Sequence, residues 1–203
     1  MIVLVHSAVA GPEMWDGFEL PGELRRHQLS EALAVEAPVA LVGSSYGGLV
    51  CLDFAARHPE LVTSLVLLDA PLPDHEWSDE VNRYAEEEER LLDAGELEAA
   101  TELNLAFWAP SVADRLRPMT RRAVELEIDE IEELDLSAVR ARTLVAVGEH
   151  DKADFHAIAD RLVRELADAE HAVIPGAGHL PAVERPDATA ALVRRFLEGK
   201  TTI

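Results

Sequence analysis

Residues 38–48 read Pro-Val-Ala-Leu-Val-Gly-Ser-Ser-Tyr-Gly-Gly. An apolar run, 38–42, leads directly into Gly43-Ser44-Ser45-Tyr46-Gly47, and a helical pattern follows until His58-Pro59, where proline stops it. The spacing is G-x-S-x-G with Ser45 at its centre. Strand, tight turn and helix in that order form a sharp bend that small residues permit. The bend lifts the serine Oγ to the C-terminal edge of a sheet. It also places it beside a helix N-terminus, whose dipole favours developing negative charge. Ser45 is therefore a candidate nucleophile at the join of a strand and a helix.

Similar units lie on both sides. Apolar runs at 2–6, 61–68 (LVTSLVLL), 143–147 (TLVAV) and 171–174 (HAVI) are continuous and rich in Val and Leu, as parallel strands buried on both faces are. Helical spacing appears at 22–35, 46–57, 155–166 and 188–197, the last with Pro186 just before it. Strands alternating with helices predict an α/β fold with a parallel sheet flanked by helices. Residues 74–137 break the rhythm with helical patterns only, interrupted at Ala109-Pro110-Ser111. This reading divides the chain into a core, 1–73 and 138–203, and a helical cap, 74–137, inserted over the strand ends.

The chain has 203 residues, 48% hydrophobic and 28% charged, which suits one globular domain with an insertion. Its net charge of −21 argues against nucleic acid and anionic membrane surfaces as partners. The segment 74–137 holds 20 Asp/Glu against 6 Lys/Arg. The run Glu86-Glu87-Glu88-Glu89 reads as a solvated helix face. No apolar run approaches the roughly 18 residues of a membrane span. The single cysteine, Cys51, reads as a small core hydrophobe in a reducing compartment. The apolar start lacks a basic region before Arg25, so residues 1–5 read as a strand and the protein as cytoplasmic.

A serine nucleophile needs a base, and the base needs an acid to hold its tautomer. Of eight histidines, His179 lies in the glycine-rich loop Pro175-Gly-Ala-Gly-His179 after the last strand, where sites gather in such sheets. His27 and His58 fall on helical stretches. The acid is Asp151, in the loop after 143–147, with Asp69 after 61–68 as the second choice. Asp154 reads as a helix N-cap. The order Ser45, Asp151, His179 is that of one serine-hydrolase arrangement. The oxyanion donors are the backbone N–H of Tyr46 and of Ala8. Neither a metal site nor a nucleotide cofactor is expected: His150, Asp151, Asp154 and His156 have no familiar ligand spacing, and no phosphate-binding glycine motif occurs.

Taken together, five pieces resemble the α/β-hydrolase superfamily, in its small members with a helical cap. They are Val3-Leu-Val-His6 with Trp15 downstream, Leu41-Val-Gly-Ser-Ser45-Tyr-Gly-Gly48, Leu67-Leu-Asp69, Val147-Gly-Glu-His-Asp151 and Ile174-Pro-Gly-Ala-Gly-His179. The resemblance implies a serine hydrolase of esterase, lactonase or haloperoxidase-like kind, working through an acyl-enzyme on a small-molecule ester-like substrate without a cofactor. Lactone opening and carbon–carbon cleavage are alternative reactions of such a site. A catalytically impaired ligand-binding protein on the same scaffold is a third reading. Trp77, Phe107, Trp108 and Phe155 are expected to line the substrate pocket, and the acidic cap favours an uncharged or cationic substrate.

Two departures from the family pattern stand out. His6 is followed by Ser7, where family members usually have glycine, so a side chain is expected to crowd the oxyanion loop. The chain also begins at the equivalent of the third of eight strands, and only one helical stretch separates Trp15 from Val39. The expected sheet therefore has about five strands, with 2–6 at an unpaired apolar edge and a weakened oxyanion loop.

Overall fold

The computed structural model describes residues 1–126 and 128–199. Six strands form one parallel sheet: β1 (Ile2–Val5), β2 (Leu24–His27), β3 (Val39–Ser44), β4 (Val62–Leu68), β5 (Arg142–Gly148) and β6 (Ala169–Ile174). Their spatial order is β2-β1-β3-β4-β5-β6. Helix α1 (Tyr46–Arg57) joins β3 to β4, and α5 (Ala153–Glu165) joins β5 to β6. After β6 come the short α6 (Pro181–Glu184) and α7 (Pro186–Leu197). Between β4 and β5 lie α2 (Asp79–Asp93), α3 (Leu97–Trp108) and α4 (Ala113–Ala123).

The core follows from the two-residue period of a strand. Ile2, Leu4, Val42, Val66, Leu68, Leu144 and Ala146 face one way and pack with Trp15, Val183, Val193 and Phe196. Val3, Val5, Leu41, Leu65, Leu67, Val145 and Val147 face the other way and pack with Leu52, Ala55, Ile158 and Leu162. Both faces are covered, which is why these strands read as unbroken apolar runs.

The sixth strand corrects the sequence reading. Residues 22–35 are not a helix: β2 pairs with β1 in register from Ile2 opposite Leu24 to Val5 opposite His27, and the chain then turns through bends to β3. The helical spacing of Leu24, Leu29 and Leu33 misled because Leu24 is 37% exposed and only Leu29 enters the core. β2 takes its structure from the hydrogen-bonding edge that β1 offers. Consequently β1 is not at the edge, and the outer strand carries Arg25 and Arg26, which guard it. Arg26 pairs with Asp16 at 2.5 Å, and Arg25 donates to the Ala34 carbonyl at 2.8 Å. His27 lies in this strand, not on a helix.

The helices between β4 and β5 are tied to the rest at several points. Asp154 accepts the Ser78 N–H at 2.8 Å and meets His75 Nε2 at 3.2 Å. It is thus a tether, and Lys152, not Asp154, occupies the N-cap of α5. Arg161 grips both oxygens of Asp74 at 2.8 Å, Lys152 reaches Glu80, and Thr120 donates to the Val9 carbonyl at 2.8 Å. The Tyr46 hydroxyl donates to the Asp129 carbonyl at 2.6 Å.

Candidate active site

Ser45 sits at φ 53° and ψ −126°, between the end of β3 and the first turn of α1. A side chain there is strained, and the surroundings must hold it. Its N–H donates to the Leu68 carbonyl at 2.8 Å, and its carbonyl accepts the Gly48 N–H at 2.7 Å. A Cβ on Gly47 would run into the backbone oxygens of His6 and Val5, so α1 approaches β1 this closely only with glycine there.

Two loops bring the other partners. The loop after β5 carries Asp151, and the loop after β6 carries His179. They are knit together: His150 N–H donates to the Ala177 carbonyl at 2.8 Å and Glu149 N–H to the Ile174 carbonyl at 3.1 Å. His179 Nε2 lies 2.9 Å from Ser45 Oγ, and Nδ1 lies 2.9 Å from Asp151 Oδ2. The imidazole is covered by Trp108 at 4.5 Å and Phe155 at 4.4 Å between ring centroids. Burial alone would raise the Asp151 carboxyl. The charge of His179 and hydrogen bonds from His179, Asp69 and the Lys152 N–H outweigh it and hold the carboxyl below its ordinary value. Asp151 is thereby kept ionised beside the ring.

The sequence reading missed Glu184. Its two oxygens accept the N–H groups of Gly178 and Leu180, each at 3.0 Å, on either side of His179. Ser111 adds a third hydrogen bond at 2.8 Å. The signal was present, since a carboxylate five residues beyond a loop histidine can reach back to the loop's amides, but α6 is too short to announce itself by periodicity.

Ala8 and Tyr46 both line the cavity that holds Ser45 and His179. Tyr46 opens α1, so its N–H lacks an acceptor one turn earlier in the helix. The N–H groups after Ala8, those of Val9 and Ala10, are spent on Ser7. Ser7 is fully buried, and its Oγ accepts the Val9 N–H at 3.3 Å. His6, also buried, contacts the Ser7 carbonyl at 2.8 Å and accepts the Leu29 N–H at 3.2 Å. Burial lowers the His6 pKa and keeps it neutral. The loop after β1 is thus pinned to the chain beyond β2.

The cavity measures about 780 Å³. Trp77, Trp108 and Phe155 line it, with Leu49, Leu72, Val81 and Ile131 among its other apolar residues. Phe107 does not. It stacks behind Tyr84 at 4.4 Å and lies under the Lys152 ammonium at 4.1 Å. Tyr84 and Asn104, not foreseen, stand at the wall, where the Tyr84 hydroxyl donates to Asn104 and Asn104 donates to Glu88. Glu88, Glu130 and Glu132 line the cavity, whereas no lysine or arginine does so among the described residues. Among those residues, the trio with metal-ligand-type atoms within 4.8 Å of one another is Asp69, Asp151 and His179, at this same site. His150, Asp154 and His156 do not join it.

Comparison with known proteins agrees with this architecture. The alpha/beta hydrolase family matches residues 22–192. An alpha/beta hydrolase domain-containing protein, VTE7, of Arabidopsis thaliana is 28% identical over 87% of this chain, which spans 59% of that relative's length. A pimeloyl-[acyl-carrier protein] methyl ester esterase of Aromatoleum aromaticum is 26% identical, with 98% of each chain covered. In three dimensions, MenH from S. aureus superposes with a TM-score of 0.76 at 16% identity, covering 98% of this chain and 93% of that one. With a family match that runs from β2 into α7, the chain belongs to the alpha/beta hydrolase family and is a hydrolase.

Proposed function

We propose that the protein is a serine esterase acting on small, uncharged or cationic carboxylic esters. The observation that carries this reading is the hydrogen-bonded line Asp151–His179–Ser45, which ends in the cavity. In this reading His179 Nε2 takes the Ser45 proton as Oγ attacks the ester carbonyl carbon. The tetrahedral oxyanion rests on the N–H groups of Tyr46 and Ala8. The bond to the alcohol then breaks, and His179 returns the proton to the departing oxygen. The acyl group stays on Ser45 until water, deprotonated by His179, attacks it; the bond to Oγ then breaks, His179 returns the proton to Oγ, and the acid leaves. Asp151 remains ionised throughout and stabilises the imidazolium.

Residues 74–137 serve as the cap, and the acyl chain lies against its apolar lining. The acidic rim disfavours a free carboxylate on the substrate. What we carry over from the Aromatoleum aromaticum relative is the ester bond its name gives, without the carrier. No helix among the described residues is long and apolar enough to cross a membrane. A cytoplasmic place also fits the single, buried Cys51.

The test combines a fluorophosphonate probe with p-nitrophenyl butyrate turnover. The adduct should map to Ser45 in folded protein alone, and Ser45→Ala should abolish both labelling and turnover. Folded protein that neither labels nor turns over would instead support a ligand-binding protein on this scaffold.

A further inference from the structure

One buried acid has no part in the proton path just described. Asp69 directly follows β4 at φ 51°, a left-handed conformation that a non-glycine residue adopts at a cost. It is 2% exposed. Its N–H donates to the Ala146 carbonyl at 2.9 Å, and its Oδ1 accepts the Gly148 N–H at 2.8 Å, so it bridges the ends of β4 and β5. Its Oδ2 is buried with no donor facing it. The same side chain has an oxygen within 4.8 Å of Asp151 and His179 ligand atoms. A second carboxylate charge beside ionised Asp151, out of water and without a donor, is costly, and a proton on Oδ2 removes both the charge and the missing partner.

We propose that Asp69 is a neutral carboxylic acid whose O–H donates to Asp151, making it a positioning residue that fixes the Asp151 carboxylate for His179. Burial first, and then the charges of Asp151 and Glu184, push the Asp69 carboxyl well above the ordinary carboxylate range, with only the Gly148 N–H opposing. Asp151 gains a hydrogen bond from the same arrangement. Two carboxyl groups are held together here, and a proton on Asp69 is the simplest way to do so.

The inference rests on the esterase reading, so the experiment separates the two. With p-nitrophenyl butyrate, Asp69→Leu should lower kcat by roughly ten- to a hundredfold, the worth of a charged hydrogen bond. Asp69→Asn keeps an N–H donor for Asp151 and an oxygen for the Gly148 N–H, and should restore most of that loss. Its acid limb in the pH profile of kcat/KM should stay where the wild-type limb lies, because no charge has been removed. Infrared difference spectra should show a protonated carboxyl in the wild type that Asp69→Asn lacks. An ionised Asp69 would overturn the proposal: Asp69→Asn would then shift the acid limb to lower pH and leave the infrared band unchanged. Equal kcat for Asp69→Leu and wild type, with Ser45→Ala inactive, would overturn it as well while leaving the esterase reading standing. If instead Ser45→Ala retains turnover, the esterase reading itself fails.

Discussion

Ser45 is held in a conformation it would not choose, and the partners that hold it are backbone groups of Leu68 and Gly48 rather than side chains. The histidine loop is different, since one side chain, Glu184, satisfies the amides on both sides of His179. Glu184→Ala should therefore lower kcat by roughly tenfold while KM stays near the wild-type value, because an ill-placed base weakens the transition state more than substrate binding. Steady-state kinetics on a chromogenic ester would decide it, and an unchanged kcat would show that the loop holds its shape unaided. His6 adds a pH dependence. It is kept neutral in the fold, so its contribution is complete above the unfolded histidine value of about 6.5 and is lost as pH falls below it. Over pH 7.5 to 5.5 the Tm of His6→Gln should thus fall less steeply than that of the wild type.

Among the elements, the tie between α2–α4 and the sheet depends on a few polar contacts. Asp154, itself buried, anchors the start of α2 through the Ser78 N–H, and removing it takes away a hydrogen bond to a charged group. Asp154→Ala should cost about 1–3 kcal/mol and speed proteolysis within 74–137, measured by thermal melting and limited digestion. Legibility in the sequence varied by element for a physical reason. β1, β3, β4 and β5 were readable because most of their positions on both faces are buried and under apolar demand, and β6, at the far edge, because its own Ala-Val-Ile run is apolar although Val173 is exposed. β2 was not, because an edge strand of sequence Leu-Arg-Arg-His answers to the backbone of its neighbour and not to its own side chains. Ser45, Asp151 and His179 could be picked out as a set because few residue types suit such a hydrogen-bonded line, and the fold brings the three together. Phe107 was misjudged because an aromatic one position before Trp108 on a helix points along a different face. Glu184 and Tyr84 were invisible because their roles arise from contacts made across the fold.

For the whole molecule, the net charge of −21 acts at a distance on whatever approaches the cavity. At matched size, a cationic ester should show a higher kcat/KM than an anionic one, and the ratio should shrink as salt rises from about 10 to 500 mM. A ratio indifferent to salt would place the discrimination in contact geometry instead. The union of Ser45 with His179 joins residues 134 positions apart. Translation at about 5–20 residues per second leaves that interval at roughly 7 to 27 s. In the proposed mechanism, the emerging serine has no base for that time and is chemically silent toward esters. A site so built is disarmed during its own synthesis, and covalent labelling at Ser45 would then serve as a clock for the last step of folding.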